Sequence, residues 1–445
     1  MQCDFLIKNA NVVTATDRLD DIQIAVQGGK ILALAGRDAE IQAAEVYDAA
    51  GKTVLPGLID AHVHFRDPGL TQKEDFETGS RAAVYGGITC VADMPNVVPV
   101  TSTAQRLKEK SAMASAKSYV DFALYALLVE DNADEMADLA RAGALGFKIY
   151  LGTSVGNIAA PSDGVILKQM QTAMRLGKRI GFHAENNAIN DAVAREYQAR
   201  GVADFAQLPN IRKAVSEADA VAKAIVMAQS TNASIHIYHV SAKQSVQLIR
   251  DARRKGVDVT AETCPQYLLL DDRDYARLGE AMKCFPPIRT AEDQSALWEG
   301  IADGTIGMIA TDHAPHTLQE KQGGLWAAAA GAAGVEIGPR LMLDAVASGR
   351  ITLQQFVQLY SENPARIWGL YPRKGCLRIG ADADFTVVDL DDTYTICNDH
   401  LHGRSNLTAF DGKKTRGNIA ATIIRGHIVV QKGQLRVKSG IGKYV

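Results

Sequence analysis

Six side chains able to ligate a divalent metal stand where apolar runs give way to polar ones. The stretch "GLIDAHVHFRDPG" (57–69) supplies His62 and His64, and four later runs end on or beside Lys148, His183, His239 and Asp312. Side chains alternate faces along a strand, so His62 and His64 project to one side, as two ligands of a single ion must. Taken alone, each residue has an ordinary structural explanation: hydrogen-bonded histidines at a strand end, a rim salt bridge for Lys148, a capping role for Asp312. Five runs that all end on a ligand type are not explained that way. The other histidines singled out, His236, His400, His402 and His427, fall outside the pattern and read as structural or surface residues.

Ligands drawn from five runs need a scaffold that gathers strand ends. Eight short apolar runs each precede a helix-like segment: "GLIDAH" (57–62), "ITCVAD" (88–93), "DFALYAL" (121–127), "ALGFKI" (144–149), "RIGFH" (179–183), "SIHIYH" (234–239), "VDVTAE" (257–262) and "GMIATD" (307–312). Segments between them, such as "TSTAQRLKEKSAMASA" and "EADAVAKAIVMAQS", carry the amphipathic spacing of helices. Eight such units predict an α/β fold, a (β/α)8 TIM-like barrel whose chemistry sits where the strands end and whose interior is filled by branched aliphatics.

The two ends of the chain read differently. "DFLIKNANVVT", "IQIAVQGGKILALAG" and "AEVYDAAGKTVLPG" alternate like short strands and break at Gly and Asn, and "GCLRIGADADFTVVDLDD" and "NIAATIIRGHIVVQKG" repeat the style near the C-terminus. The expected organisation is a barrel over residues 55–371, with residues 1–54 and 372–445 joining into one small β-sandwich. Hydrophobic residues make up 47% and charged residues 22%, and the net charge of -3 leaves no basic footprint for nucleic acid. The N-terminus lacks a basic segment followed by an apolar one, and "LWAAAAGAAGV" (325–335) is too short to span a bilayer. Six scattered cysteines without a C-x-x-C pair fit a reduced, cytoplasmic protein.

The order H-x-H, Lys, His, His, Asp on strands one, four, five, six and eight resembles the amidohydrolase superfamily, through essentially the whole chain. That resemblance implies two zinc ions, one held by His62, His64 and Asp312 and the other by His183 and His239. It implies too that Lys148 is carboxylated and bridges both ions. A plain ammonium would be repelled by two cations, whereas a carbamate offers two anionic oxygens. Asp312 would also be the catalytic proton carrier, delivering a proton to the leaving nitrogen of a cyclic amide.

Within the superfamily, "HVHFRDPG", "DMPNVVP" (93–99) and "TDHAPHTLQEK" (311–321) look like the dihydroorotase branch. The implied function is reversible, zinc-dependent cyclisation of N-carbamoyl-L-aspartate to L-dihydroorotate in de novo pyrimidine biosynthesis. In that branch the positions of Arg66, Asn96 and His316 hold the substrate carboxylate, for which a guanidinium fork is well shaped. Arg66 has Asp67 and Glu74 as alternative partners, Asn96 lies in a turn-like tripeptide, and His316 lies in a loop. "KCFPPIR" (283–289) departs from the branch, with Phe285 where dihydroorotases commonly have Asn, and leans towards allantoinases. "GFKIYLGTSVGN" (146–157) keeps the lysine of a two-metal site without separating these activities. The alternatives are an allantoinase, a dihydropyrimidinase or hydantoinase-type cyclic amidase, and a non-catalytic scaffold, the last disfavoured by the filled ligand positions. The expected partner is a small-molecule substrate, with no nucleic acid and no membrane. A homo-oligomer is compatible with the sequence.

Overall fold

Residues 1–152, 158–405 and 407–445 are described by the structure, a computed structural model. Residues 153–157, the end of the "GFKIYLGTSVGN" segment, lie outside the described residues.

Alternating apolar residues at both chain ends build one sheet. Its N-terminal strands are β1 (Gln2–Val13), β2 (Arg18–Gln27), β3 (Lys30–Gly36), β4 (Gln42–Asp48) and β5 (Thr53–Pro56). The long β1 pairs antiparallel with β2 and parallel with both β4 and β5. Its C-terminal strands enter through β5, described below. Phe5, Ile7, Ile24, Val54, Phe385, Val387 and Ile423 bury one face of this layer together.

The eight apolar runs become the staves of a closed parallel barrel: β6 (Leu58–Val63), β7 (Ile88–Asp93), β8 with β9 (Asp121–Leu124, Ala126–Leu127), β10 (Phe147–Tyr150), β11 (Ile180–His183), β12 (Ile235–Ile237), β13 (Val259–Thr263) and β14 (Met308–Ile309). One stave is broken at Tyr125, so that β8 pairs with β7 and β9 with β10. A parallel bridge between Val63 and His313 links the last stave to the first. Helices pack outside and begin on polar caps: Asp75 accepts from the Thr78 N–H at 2.8 Å to start Phe76–Tyr85, and Thr290 starts Ala291–Ala302 in the same way. No helix among the described residues is long and apolar enough to cross a membrane.

The barrel interior departs from the expected branched aliphatics. Beneath the rim lie Ala61, Ala92, Ala123 and Ala310 together with Tyr125, Tyr238 and Trp368. Three large rings fill the space, so the facing positions must be small. Gly181 shows the constraint, since a Cβ there would lie 2.0 Å from the Tyr238 ring.

After the barrel, β15 (Phe385–Thr395) pairs antiparallel with β5, and β16 (Lys414–Ile424), β17 (His427–Gln431) and β18 (Gln434–Leu435) extend the sheet to nine strands. The fold is therefore a TIM barrel with a β-sandwich layer built from both ends of the chain. Lys374 ties the two parts, with its ammonium 2.7, 3.0 and 2.6 Å from the carboxylates of Asp121, Asp382 and Asp384. That acidic trio is filled by its own lysine.

Candidate metal centre and substrate cavity

The strand ends bring the six predicted ligands to one rim. Oδ1 of Asp312 lies 3.2 Å from Nε2 of both His62 and His64, and ligand atoms of the three lie within 4.8 Å of one another, all buried. Nδ1 of His183 is 2.9 Å from Nε2 of His239, and Nζ of Lys148 is 3.5 Å from Nε2 of His62. His239 and Asp312 fall just beyond their strands at φ 40° and 46°, and Arg66 follows β6 at φ 62°. Left-handed backbone at non-glycine residues is costly, and here it turns three polar side chains into the mouth of the barrel.

The ring nitrogens turned away from the centre decide what this cluster can do. Nδ1 of His62 bonds Glu262, Nδ1 of His64 bonds Oδ1 of Asn96 at 2.7 Å, and Nε2 of His183 bonds Glu185 at 3.1 Å. An acceptor at each outer nitrogen holds the proton there and leaves the inner lone pair facing its neighbours. Inward lone pairs with a carboxylate among them form an N/O donor set suited to zinc, and the outer acceptors orient the ligands. The residues fit a metal site.

Burial sets the charges. It pushes His62 and His239 well below the usual histidine range, with Lys148 adding repulsion, so both stay neutral and able to ligate. It also lowers Lys148 to about 7. Burial would raise Asp312, but its contact with His64 outweighs it and keeps the carboxyl below its ordinary value. Glu262, wholly buried, is pushed well above the carboxylate range.

A cavity of about 320 Å³ opens on the cluster, lined by the six ligands together with Arg66, Asn96, His316, Tyr150, Phe285 and the segment 329–331. All three residues predicted to bind substrate are brought to it. Neither alternative partner claims Arg66: Asp67 pairs with Lys117 at 2.8 Å, and Glu74 accepts from Thr78 and the Arg404 N–H. Nε of Arg66 donates to the Pro315 carbonyl at 3.3 Å, and its Nη1, buried, has no partner among the described residues. His316 donates from Nε2 to the Ala330 carbonyl at 3.1 Å while Lys73 lies 3.3 Å from Nδ1, and burial drops the imidazole to about 2. Asn96 spends its oxygen on His64 and leaves Nδ2 without a partner among the described residues.

Several supporting residues escaped the sequence reading. Glu185 stands two positions after His183, so the alternation that exposed His62 and His64 would have found it. Glu262 ends β13 as plainly as the ligands end their strands. Arg212 and the loop glycine Gly331 had no such signal. His236, set aside as structural or surface, is fully buried and bonds Thr260 and Glu262.

A model of the amidohydrolase family matches residues 53–429, which takes in the whole barrel. The chain belongs to the amidohydrolase family. As a member of that family it is a metal-dependent hydrolase. It is 35% identical to an L-hydantoinase of Paenarthrobacter aurescens, covering 99% of this chain and 98% of that one. It is 37% identical to an allantoinase of Rubrobacter xylanophilus, covering 99% and 97%. Among solved structures, the L-hydantoinase (dihydropyrimidinase) from Arthrobacter aurescens superimposes with a TM-score of 0.97 at 34% identity over 99% of both chains.

These relatives overturn the dihydroorotase expectation and, with it, the assignment to pyrimidine biosynthesis. The misleading motifs lie at the rim: "HVHFRDPG" carries His62 and His64, and "TDHAPHTLQEK" carries Asp312. The segment that departed from the pattern, "KCFPPIR", places Phe285 in the cavity wall.

Proposed function

We propose that this amidohydrolase hydrolyses a five-membered cyclic ureide, with allantoin, a hydantoin bearing a ureido arm, as the substrate its cavity suits best. The observation that carries the reading is a pair of buried donors, Arg66 Nη1 and Asn96 Nδ2, on residues that line the cavity and without an acceptor among the described residues. A buried donor left unmatched costs about 1–3 kcal/mol, so a ligand rich in carbonyl acceptors recovers that cost. Allantoin offers ring carbonyls and a ureido carbonyl. The allantoinase relatives support the same choice.

In this reading His62, His64 and Asp312 would hold one zinc, His183 and His239 would hold a second, and a carboxylated Lys148 would supply a further anionic ligand. An amine lowered to about 7 has the large neutral fraction that attack on CO2 requires. Bound metal supplies Lewis acidity, which polarises a ring carbonyl and acidifies water. The chain's own groups do the rest. Asp312 takes a proton as the water oxygen adds to the carbonyl carbon, and returns it to the ring nitrogen as the C–N bond breaks. Arg66 and Asn96 orient the ring by donating to its acceptors. His316, neutral, braces the loop behind Arg66, and Phe285 covers the ring with an apolar face.

A kcat/KM panel of allantoin, hydantoin, 5-benzylhydantoin, dihydrouracil and dihydroorotate on zinc-loaded protein tests the assignment. Allantoin should lead. A higher value for any of the others would sink the allantoin reading, and absence of all turnover would sink the cyclic amidase reading.

A further inference from the structure

Outside the ligands, a buried ion pair, Glu185 with Arg212, reaches from the metal cluster to the cavity wall. Glu185, fully buried, accepts from Nε and Nη2 of Arg212 at 3.0 and 2.6 Å while its Oε2 lies 3.1 Å from Nε2 of His183. The flat face of the same guanidinium lies 3.7 Å from the centroid of Phe285, which lines the cavity. Arg212 is itself held from behind. Its carbonyl accepts from Nη1 of Arg289 at 2.9 Å, and Arg289 bonds Ser241 at 2.9 Å and pairs with Glu217 at 3.4 Å. Glu217 in turn takes the backbone N–H groups of Ser241 and Ala242, just after His239, at 3.1 and 3.0 Å.

We infer that Arg212 is a positioning residue that builds the substrate wall and the second metal site on one guanidinium. A bidentate fork fixes Glu185, so that Glu185 holds the proton of His183 on Nε2 and the lone pair of Nδ1 towards His239. The free face seats Phe285 by cation–π contact and fixes the plane against which a ring packs. A buried ion pair is a poor source of stability, since desolvation offsets its attraction. A placement that joins His183 to Phe285 gives this pair a role in the site. Lysine cannot replace the arginine, because a single ammonium makes neither the fork nor the flat stack.

The inference rests on the two-metal reading above, and the test separates the two. Metal affinity is measured by competition with a chromophoric chelator, alongside kcat and KM on allantoin, for wild type, Glu185→Gln, Arg212→Met, Arg212→Lys and Phe285→Leu. Glu185→Gln should weaken one of the two metal sites by about 10- to 100-fold, the range for loss of an outer partner, while leaving the other unchanged and KM near wild type. Arg212→Met should weaken that same site and raise KM as well, and Arg212→Lys should restore neither property fully. Phe285→Leu should change KM without touching metal affinity. Wild-type affinity for both metals in Glu185→Gln or Arg212→Met would overturn the inference, as would full rescue by lysine. A wild-type protein that binds no metal would instead overturn the two-metal reading.

Discussion

Arg66 sets activity against stability. It is 1% exposed, burial lowers its pKa, and no carboxylate pairs with it among the described residues. Arg66→Met therefore removes an uncompensated buried cation, and folding stability should hold or rise. Activity should fall by at least about tenfold in kcat/KM, since hydrogen bonds to charged groups contribute about 1.5–3 kcal/mol. Zinc content should not change. Kinetics, metal analysis and a melting curve on one preparation check all three, and unchanged kcat/KM would mean that the donor never meets substrate. Asp312→Asn isolates the proton carrier. Asn tolerates left-handed backbone as Asp does, so φ 46° at position 312 is no obstacle. One oxygen still coordinates, but an amide does not take a proton near neutral pH. The variant should keep most of its metal and lose about 10²–10⁴ in kcat. Near wild-type turnover would move the shuttle to another group, with His313 the next candidate. Ligand types could be read at this scale because strand alternation dictates where they point. The same rule reaches Glu185 and Glu262, which orient ligands from strand ends, but not Arg212, which anchors Glu185 from a separate short segment.

At the scale of elements, the eight runs were legible because apolar stretches followed by amphipathic ones have few other solutions. Their ends were not. β12 stops at Ile237 and β14 at Ile309, so that His239 and Asp312 reach the site from left-handed turns that periodicity does not register. Pairing was equally silent: nothing in the pattern tells that β1 takes both β4 and β5 as parallel neighbours. The Ala/Gly tract read as a poor membrane span is in fact cavity wall. Gly331 packs so closely that a Cβ would lie 2.2 Å from the Ala314 carbonyl, and Ala329 and Ala330 leave room for substrate. Two buried lysines pin that wall. Lys283 donates to the carbonyls of Leu325, at 2.6 Å, and Ala328, and Lys321 to those of Lys283 and Gly331 at 3.1 and 2.9 Å. Burial draws both amines down to about 8. Lys321→Met keeps the apolar stem and deletes two hydrogen bonds with a net contribution of about 0.5–1.5 kcal/mol each. KM should rise by about two- to tenfold with kcat little changed, and amide exchange across 325–331 should quicken. Wild-type exchange there would show that the wall stands without the lysine.

Across the whole molecule, a polar site carved into the barrel mouth makes stability depend on pH. Burial drives His62, His236 and His239 well below the histidine range, and His316 to about 2. In the unfolded chain these imidazoles return to about 6.5 and take up protons that the folded state refuses. Below that value the unfolded state binds more protons, so stability rises with pH and is lost as pH falls through about 6.5. Buried acids act the other way. Asp60, raised by burial to about 6, and Glu262, raised further, hold protons when folded that they would release when unfolded. With His64 lowered as well, five imidazoles against the three raised carboxyls of Asp60, Glu262 and Asp384 leave the histidine sign dominant near neutrality, and the depressed lysines reinforce it on the alkaline side. Metal-free protein unfolded in urea should therefore lose midpoint steadily from about pH 8 to about pH 5.5. Saturating zinc should raise the midpoint at pH 7 by mass action, and that gain should shrink as protons compete for the imidazole lone pairs. His316→Gln, which removes one refused proton, should flatten the metal-free slope. A midpoint that is constant or rises on acidification would mean that these histidines are protonated in the folded state, which would contradict their neutral, ligating role.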